Sequence, residues 1–231
     1  MTPREHLRVA AAEYERFGTL ATGLDPERLG RPTGLPGWRV ADLVEHVRRA
    51  QLLEAAALGE PAPAAADDLR AARAAFARAV ERLGDPDPTR PVELVGGVVV
   101  MEVAAPLIAA EAAIHVVDLA RALGGPGGLG GSALASCAAA LGPMLTFVGG
   151  LGAPEPEETS VELAGRLVDV RLRRTAGRWR PDRAPGPASV RFAGDDDHLV
   201  LLGFGRGGAE RLTVTGDRLL ATRFKTAFPG P

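Results

Sequence analysis

The stretch MEVAAPLIAAEAAIHVVDLARAL (101–123) decides how the chain is read. Apolar residues fill almost every position, which suits a helix buried on all sides or one crossing a membrane. Glu102, Glu111 and His115 interrupt it, together with the preceding VGGVVV, and a lone spanning helix would expel such groups. It therefore reads as the core helix of a protein interior, closed by GGPGG at 124–128. Ionisable groups persist in such a place only when paired, hydrogen-bonded or bound to a metal.

Outward from this helix, the first part of the chain reads as helical. Thr2, Pro3 and Glu5 form a helix start, a capping residue followed by proline and an acid in the first turn. After DPERLGRPTGLPGW (25–38), the residues Val40, Leu43, Val44 and Val47 recur at helical spacing, with His46 at the edge of their stripe. The stretch EPAPAAA (60–66) reads as a linker, and DDLRAARAAFARAVERLG (67–84) as a third helix. VELVGGVVV (92–100) has the β-branched, Gly-Gly pattern of a short hairpin, and a fifth helix is predicted over 132–147.

Beyond GGLGAPEPEET (149–159) the pattern changes to alternation, in SVELAG, RLVDVRLRR, SVRFAG and RLTVTG, with short helical stretches at DDDHLVLLGF and DRLLATRF. The expected organisation is α+β with two domains: a helical domain over 1–150 and a smaller α+β domain over 158–231.

A formal charge of −2 and a pI near 6.1 argue against a nucleic-acid partner. One cysteine, Cys137, permits no intrachain disulfide, and the N-terminal sequence lacks a secretory apolar core, so a cytoplasmic location with no membrane partner is expected. Basic charge is carried by 26 arginines and a single lysine, Lys225, a bias that suggests a GC-rich bacterial genome.

Glu111 and His115 are four residues apart and so share one helix face. Inward-pointing Glu and His on facing helices are how bundles build metal sites. Of the other histidines, His46 is best placed by pattern to complete a set of two His and one Glu, which leaves a position open for chemistry. The competing readings are a surface pair for Glu111 and His115 and satisfied core histidines. Asp195, Asp196 and Asp197 lack the alternating spacing of a calcium loop and fit a helix N-terminus instead. GGPGGLGG lacks the ending of a phosphate loop. Trp38 is expected in the bundle core, His6 and His198 as solvated or capping residues, Cys137 as a small packed group and Asp217 as a helix cap.

GLPGWRVADLVEHV (34–47) resembles the Pro-Gly-Trp entry into an Asp-Leu-Val-x-His helix of the mycothiol-dependent maleylpyruvate isomerase family. EAAIHVVDLARAL (111–123) is similar to that family's Glu-x-x-x-His-x-x-Asp helix, and DDDHLVLLGFGR (195–206) and LTVTGDRLLA (212–221) resemble its C-terminal domain. The resemblance implies a DinB-like four-helix bundle followed by a small α+β domain. It implies a divalent metal, usually zinc, on His46, Glu111 and His115, and mycothiol as the thiol that the metal activates. Mycothiol belongs to high-GC actinobacteria, which agrees with the Arg-rich composition. The implied activity is an isomerase or S-transferase acting on a small, electrophilic, carboxylated metabolite in a monomer or homodimer.

By the same resemblance Asp118 helps hold the thiol, an ion pair with Arg121 being the alternative, and Arg206 orients a substrate carboxylate. Arg39 stands where the family often has Thr or Ser, which weakens that helix cap. Two rivals stand beside this reading. One is a metal-dependent hydrolase with Asp118 or Glu45 as base; the other is a non-catalytic binding module on the same scaffold.

Overall fold

The computed structural model describes residues 1–61 and 67–229. Most of the EPAPAAA linker, 62–66, lies outside the described residues. The chain divides into two compact units, Met1–Ser136 and Cys137–Pro231.

The first unit holds α1 (Pro3–Ala21), the short α2 (Pro26–Leu29), α3 (Val40–Ala57), α4 (Leu69–Leu83), a hairpin of β1 (Pro91–Leu94) and β2 (Gly97–Val100), and α5 (Met101–Ala122). The predicted capping box at the chain start is present: Glu5 N–H donates to Thr2 Oγ1 at 3.3 Å, and Thr2 N–H to Glu5 Oε2 at 2.6 Å. At α3 the arginine offers no side-chain cap, but Asp42 Oδ2 accepts from Arg39 N–H at 2.8 Å, so half of the box survives the substitution. Asp68 caps α4 through Arg70 N–H at 2.9 Å. Glu60, buried just past α3, is ion-paired with Arg78 and Arg82 of α4, which holds the two helices in register across the linker.

The four long helices close a ring in which α1 packs on α5 and α4, and α3 packs on α4 and α5. The core is apolar and well filled: Leu7, Tyr14 and Phe17 of α1 meet Phe76 of α4, whose ring stands edge-on to Tyr14 at 5.0 Å. Helix α5 and the later helix Gly131–Val148 are each long and apolar enough to cross a membrane by length and composition. In α5 the apolar surface is spent on the bundle interior, since sixteen of its residues are buried. Pro106 lies within α5 and removes the backbone N–H that would bond to Glu102.

Helix α6 (Gly131–Val148) contains the division between the units. The sequence-based limit near 150 differs from that division, because Leu141 and Gly142 pack against Gly203 and Val170 of the second unit. Cys137 is buried, as expected of a small apolar group. His6 departs from expectation: it is buried, and its Nδ1 lies 2.9 Å from Ser136 Oγ, so it is a core histidine.

The second unit adds β3 (Ser160–Ala164), β4 (Asp169–Thr175), β5 (Arg178–Pro181), β6 (Val190–Ala193), α7 (Asp196–Gly203), β7 (Thr213–Gly216), α8 (Arg218–Thr222) and α9 (Phe224–Ala227). Its sheet runs β5-β4-β3-β6-β7, with β3 and β6 parallel and the other neighbours antiparallel. The register aligns Val161 with Leu172 and Val190, and Leu163 with Val170 and Phe192, so the alternating residues form one apolar face. Strand β5 escaped the sequence reading, because RWRP offers a single buried residue, Trp179, as alternation signal.

Of the three acids at α7, Asp196 turns away from the helix. Its Oδ1 accepts from Leu167 and Val168 N–H at 2.8 and 3.0 Å and so ties α7 to the β3–β4 turn. Asp217 caps α8 as expected, accepting from Leu219 and Leu220 N–H. Gly216 before it has φ of 90°, and a Cβ there would strike the Ser189 carbonyl.

Candidate metal centre

The α3–α5 seam brings together the three residues singled out by spacing. His46 Nε2 donates to Glu111 Oε1 at 2.8 Å, and His115 Nε2 lies 3.1 Å from the same oxygen. One ligand atom from each of His46, Glu111 and His115 lies within 4.8 Å of the others. The imidazoles approach edge to face with centroids 4.8 Å apart.

This donor set fits a divalent cation. Four tetrahedral ligands at zinc distances are separated by about 3.3 Å, so the two short N–O pairs here need to open by only about half an ångström. Two imidazoles and one carboxylate, with no fourth protein ligand among the described residues, match a site that keeps a position for an exogenous group. His46 and Glu111 are 39% and 29% exposed in their side chains, whereas His115 is only 6% exposed, so the centre is anchored on the buried side and reachable from the other.

Asp118 stands behind His115. It is buried, and its Oδ2 accepts from His115 Nδ1–H at 2.9 Å. That bond fixes the ring and leaves Nε2 to face a cation, the usual carboxylate support of a metal-binding imidazole. Sequence spacing put Asp118 on the same face as His115 but did not show that it meets His115 from behind.

Two more groups complete the surroundings. Glu54, about two turns past His46 on α3, is buried and accepts from Tyr14 O–H at 2.7 Å. Burial and the negative charge of Glu111 push its carboxyl well above the ordinary carboxylate range, against the opposing pull of Tyr14 and His115. Burial, Glu54 and Glu111 raise the Tyr14 hydroxyl in the same direction. Neither residue was singled out in the sequence; a glutamate at an inward helical position is the signal that would have found the pair.

Trp38 corrects its expected place. It is half-buried rather than in the bundle core, and its ring stands 5.0 Å from the His46 imidazole at 63°. The loop that carries it, Pro32 through Arg39, surrounds a surface cavity of about 580 Å³. Glu45, next to His46, is gripped by Arg48 and Arg49 at 2.6 to 2.7 Å, and the Arg48 hydrogen bond first among these contacts holds its carboxyl at about 2.

Burial alone would lower the His115 pKa, but the charge of Glu111 and the hydrogen bonds to Asp118 and Glu111 raise it to about 9. Glu111 moves the other way: burial pushes it up, yet the His115 charge and the bonds from both histidines hold it well below the usual carboxylate range. In protein stripped of metal, His115 therefore contributes stability that is fully present below its unfolded value near 6.5 and is lost as pH rises through about 9. Unfolding free energy of the chelated protein is expected to fall across that window by about 3 kcal/mol. Chemical denaturation at a series of pH values checks this, and a flat profile would mean that the imidazole is neutral throughout.

Arg206 lies in the second unit, three residues past α7, half-buried, with Nη1 donating to the Phe204 carbonyl at 2.7 Å.

Residues 10–61, which carry most of α1, all of α2 and α3, and His46, match the mycothiol maleylpyruvate isomerase N-terminal domain. Two solved structures resemble the chain throughout. One is mycothiol-dependent maleylpyruvate isomerase, 19% identical over 93% of both chains with a TM-score of 0.59. The other is a histidine-to-alanine mutant of a mycothiol-dependent maleylpyruvate isomerase, 18% identical over 93% of both chains with a TM-score of 0.58. No curated protein sequence matches the chain. Part of the first domain thus matches the mycothiol maleylpyruvate isomerase N-terminal domain, and the chain as a whole has the two-domain α+β fold of the mycothiol-dependent maleylpyruvate isomerase.

Proposed function

We propose that the protein is an enzyme that uses a divalent metal, zinc by preference of the donor set, and mycothiol to isomerise a small, electron-poor, carboxylated metabolite. The observation that carries this reading is the convergence of His46, Glu111 and His115 on one point, with an open side and an aspartate supporting the buried imidazole. A divalent cation held there supplies the positive charge that lowers the pKa of a coordinated thiol, so that thiolate exists at neutral pH.

The protein's own residues supply the rest. Glu111 and the two histidines fix the position at which a thiol is received. Asp118 holds the proton on His115 Nδ1 and keeps Nε2 directed at the ion; this orienting role is the one we assign it, in place of a direct hold on the thiol. Arg206 is assigned to the substrate carboxylate, where a guanidinium can engage both oxygens. The thiolate adds to one carbon of the activated double bond, whose π electrons move onto the adjoining carbonyl. Rotation about the resulting single bond and return of those electrons expel the thiolate and leave the other geometric isomer. If the adduct is protonated before expulsion, the same residues perform S-transfer.

The two bases named for the hydrolase reading are both engaged elsewhere. Glu45 is committed to two arginines at a pKa of about 2, and Asp118 is buried against His115. The test is turnover of a panel of unsaturated keto acids by zinc-loaded protein with and without mycothiol. Strict thiol dependence with no net thiol consumption is expected. Thiol-independent turnover would support a hydrolase, and loss of free thiol an S-transferase.

A further inference from the structure

Trp38 approaches His46 with ring centroids 5.0 Å apart, and it also lines the cavity of about 580 Å³ that the loop from Pro32 through Arg39 surrounds. The indole is thus a wall shared by the metal centre and the cavity. The loop's own hydrogen bonds hold that wall in place. Leu35, Pro36, Gly37 and Trp38 form a turn closed by Trp38 N–H donating to the Leu35 carbonyl at 3.1 Å, with proline at its second position and Gly37 at φ of 79° at its third, as a type II turn requires. From the other side, Thr33 N–H and Oγ1 both donate to the Trp38 carbonyl, at 3.0 and 3.1 Å, and Oγ1 accepts from Leu35 N–H at 3.1 Å.

The loop ends are tied as well: Val40 N–H donates to the Arg31 carbonyl at 2.9 Å, and Pro32 bridges Arg39. Trp38 is therefore preorganised without packing into the bundle core. The cavity falls within the range of about 300 to 1,000 Å³ that small-molecule sites occupy. Prolines, Leu35, glycine backbone and the indole make its wall, and no carboxylate lines it. Its one cation, Arg39, already donates from Nη1 to the Gly30 carbonyl at 2.7 Å. Such a lining suits a neutral ligand with an apolar C–H face and a rim of hydroxyls, which is the chemistry of a sugar.

We propose that this cavity holds the sugar portion of the thiol cosubstrate, with Trp38 as the platform beneath it. The assignment rests on the mycothiol reading, since mycothiol joins its cysteine through an amide to an aminosugar that carries an inositol. From the sulfur to the sugar ring is a span of about 6 Å by covalent geometry, comparable with the 5.0 Å between the His46 and Trp38 rings. A thiol received beside His46 therefore brings its sugar to the indole, whose apolar ring packs on the C–H face of a pyranose. Trp38 is, on this account, the residue that distinguishes mycothiol from smaller thiols.

The probe is glucosaminyl-inositol, the sugar portion of mycothiol without its cysteine, titrated into the full-length protein while tryptophan emission is followed. The second tryptophan, Trp179, is buried, so a saturable change in emission is expected from Trp38 and should vanish in Trp38→Leu. It should persist after chelation, because the probe carries no sulfur. Wild-type emission unmoved by the probe up to about 10 mM would overturn the site. So would an equal response in Trp38→Leu. With zinc-loaded protein, the ratio of kcat/KM for mycothiol to that for N-acetylcysteine is expected to fall at least about tenfold in Trp38→Leu, with Trp38→Phe between. An unchanged ratio, both thiols losing alike, would overturn the platform and make Trp38 a prop for His46. Probe binding in protein that shows no thiol-dependent turnover would sink the proposed reaction while sparing this site.

Discussion

His46→Ala and His115→Ala are each expected to strip the protein of its metal and to lower thiol-dependent turnover by more than about 100-fold. Changing a group that merely supports a ligand costs about 10 to 100-fold in affinity or activity, so deleting the ligand itself should cost more. The two variants differ in what they do to the fold. His46 is partly exposed at the rim of the bundle, and its loss should leave the melting temperature near wild type. His115 is buried, and its loss leaves Asp118 without the proton it now accepts, at a cost of about 1 to 3 kcal/mol. The helical signal should persist in both, because the bundle is held by its apolar faces. Elemental analysis of protein purified without chelator, together with circular dichroism, checks the pair. Retained metal in both variants would reduce the two residues to core histidines.

Asp118→Ala is expected to weaken metal affinity by about 10 to 100-fold while the metal, once bound at saturation, still supports turnover. Asp118→Asn should lie between, since an amide oxygen can still accept from His115 Nδ1–H but brings no charge. The measurement is competition against a chelator of known affinity, set beside the thiol concentration needed for half-maximal rate. A direct hold on the thiol predicts the reverse pattern, with metal affinity unchanged and the thiol requirement raised. The two roles assigned to one side chain are therefore separable in a single pair of assays.

How much of this was legible in the sequence depends on the reach of each signal. Helix starts at Thr2, Pro3 and Glu5, the stripe through Val40, Leu43 and Val47, and the unbroken apolarity of 101–123 are local, and they were enough for the bundle. The alternation in SVELAG and SVRFAG marked two strands of the second unit, while β5, with one inward residue, carried no periodic signal. Glu111 and His115 declared themselves by a spacing of four, and His46 by its place on the stripe's edge. His6 sits on a comparable stripe and turned out to be a core residue bonded to Ser136, 130 residues away, which no local pattern reports.

What the sequence determined by itself, then, is most of the elements and the candidate ligands, because periodicity, capping and breakers act over a turn or two of chain. What only the tertiary structure decided is which side chains meet. The seam of α3 and α5 joins residues 65 apart in sequence, Trp38 stands against the His46 ring, and Glu54 finds Tyr14. Those encounters are set by how helices and sheet pack once their apolar faces are buried, and packing, unlike periodicity, has no signature in neighbouring residues.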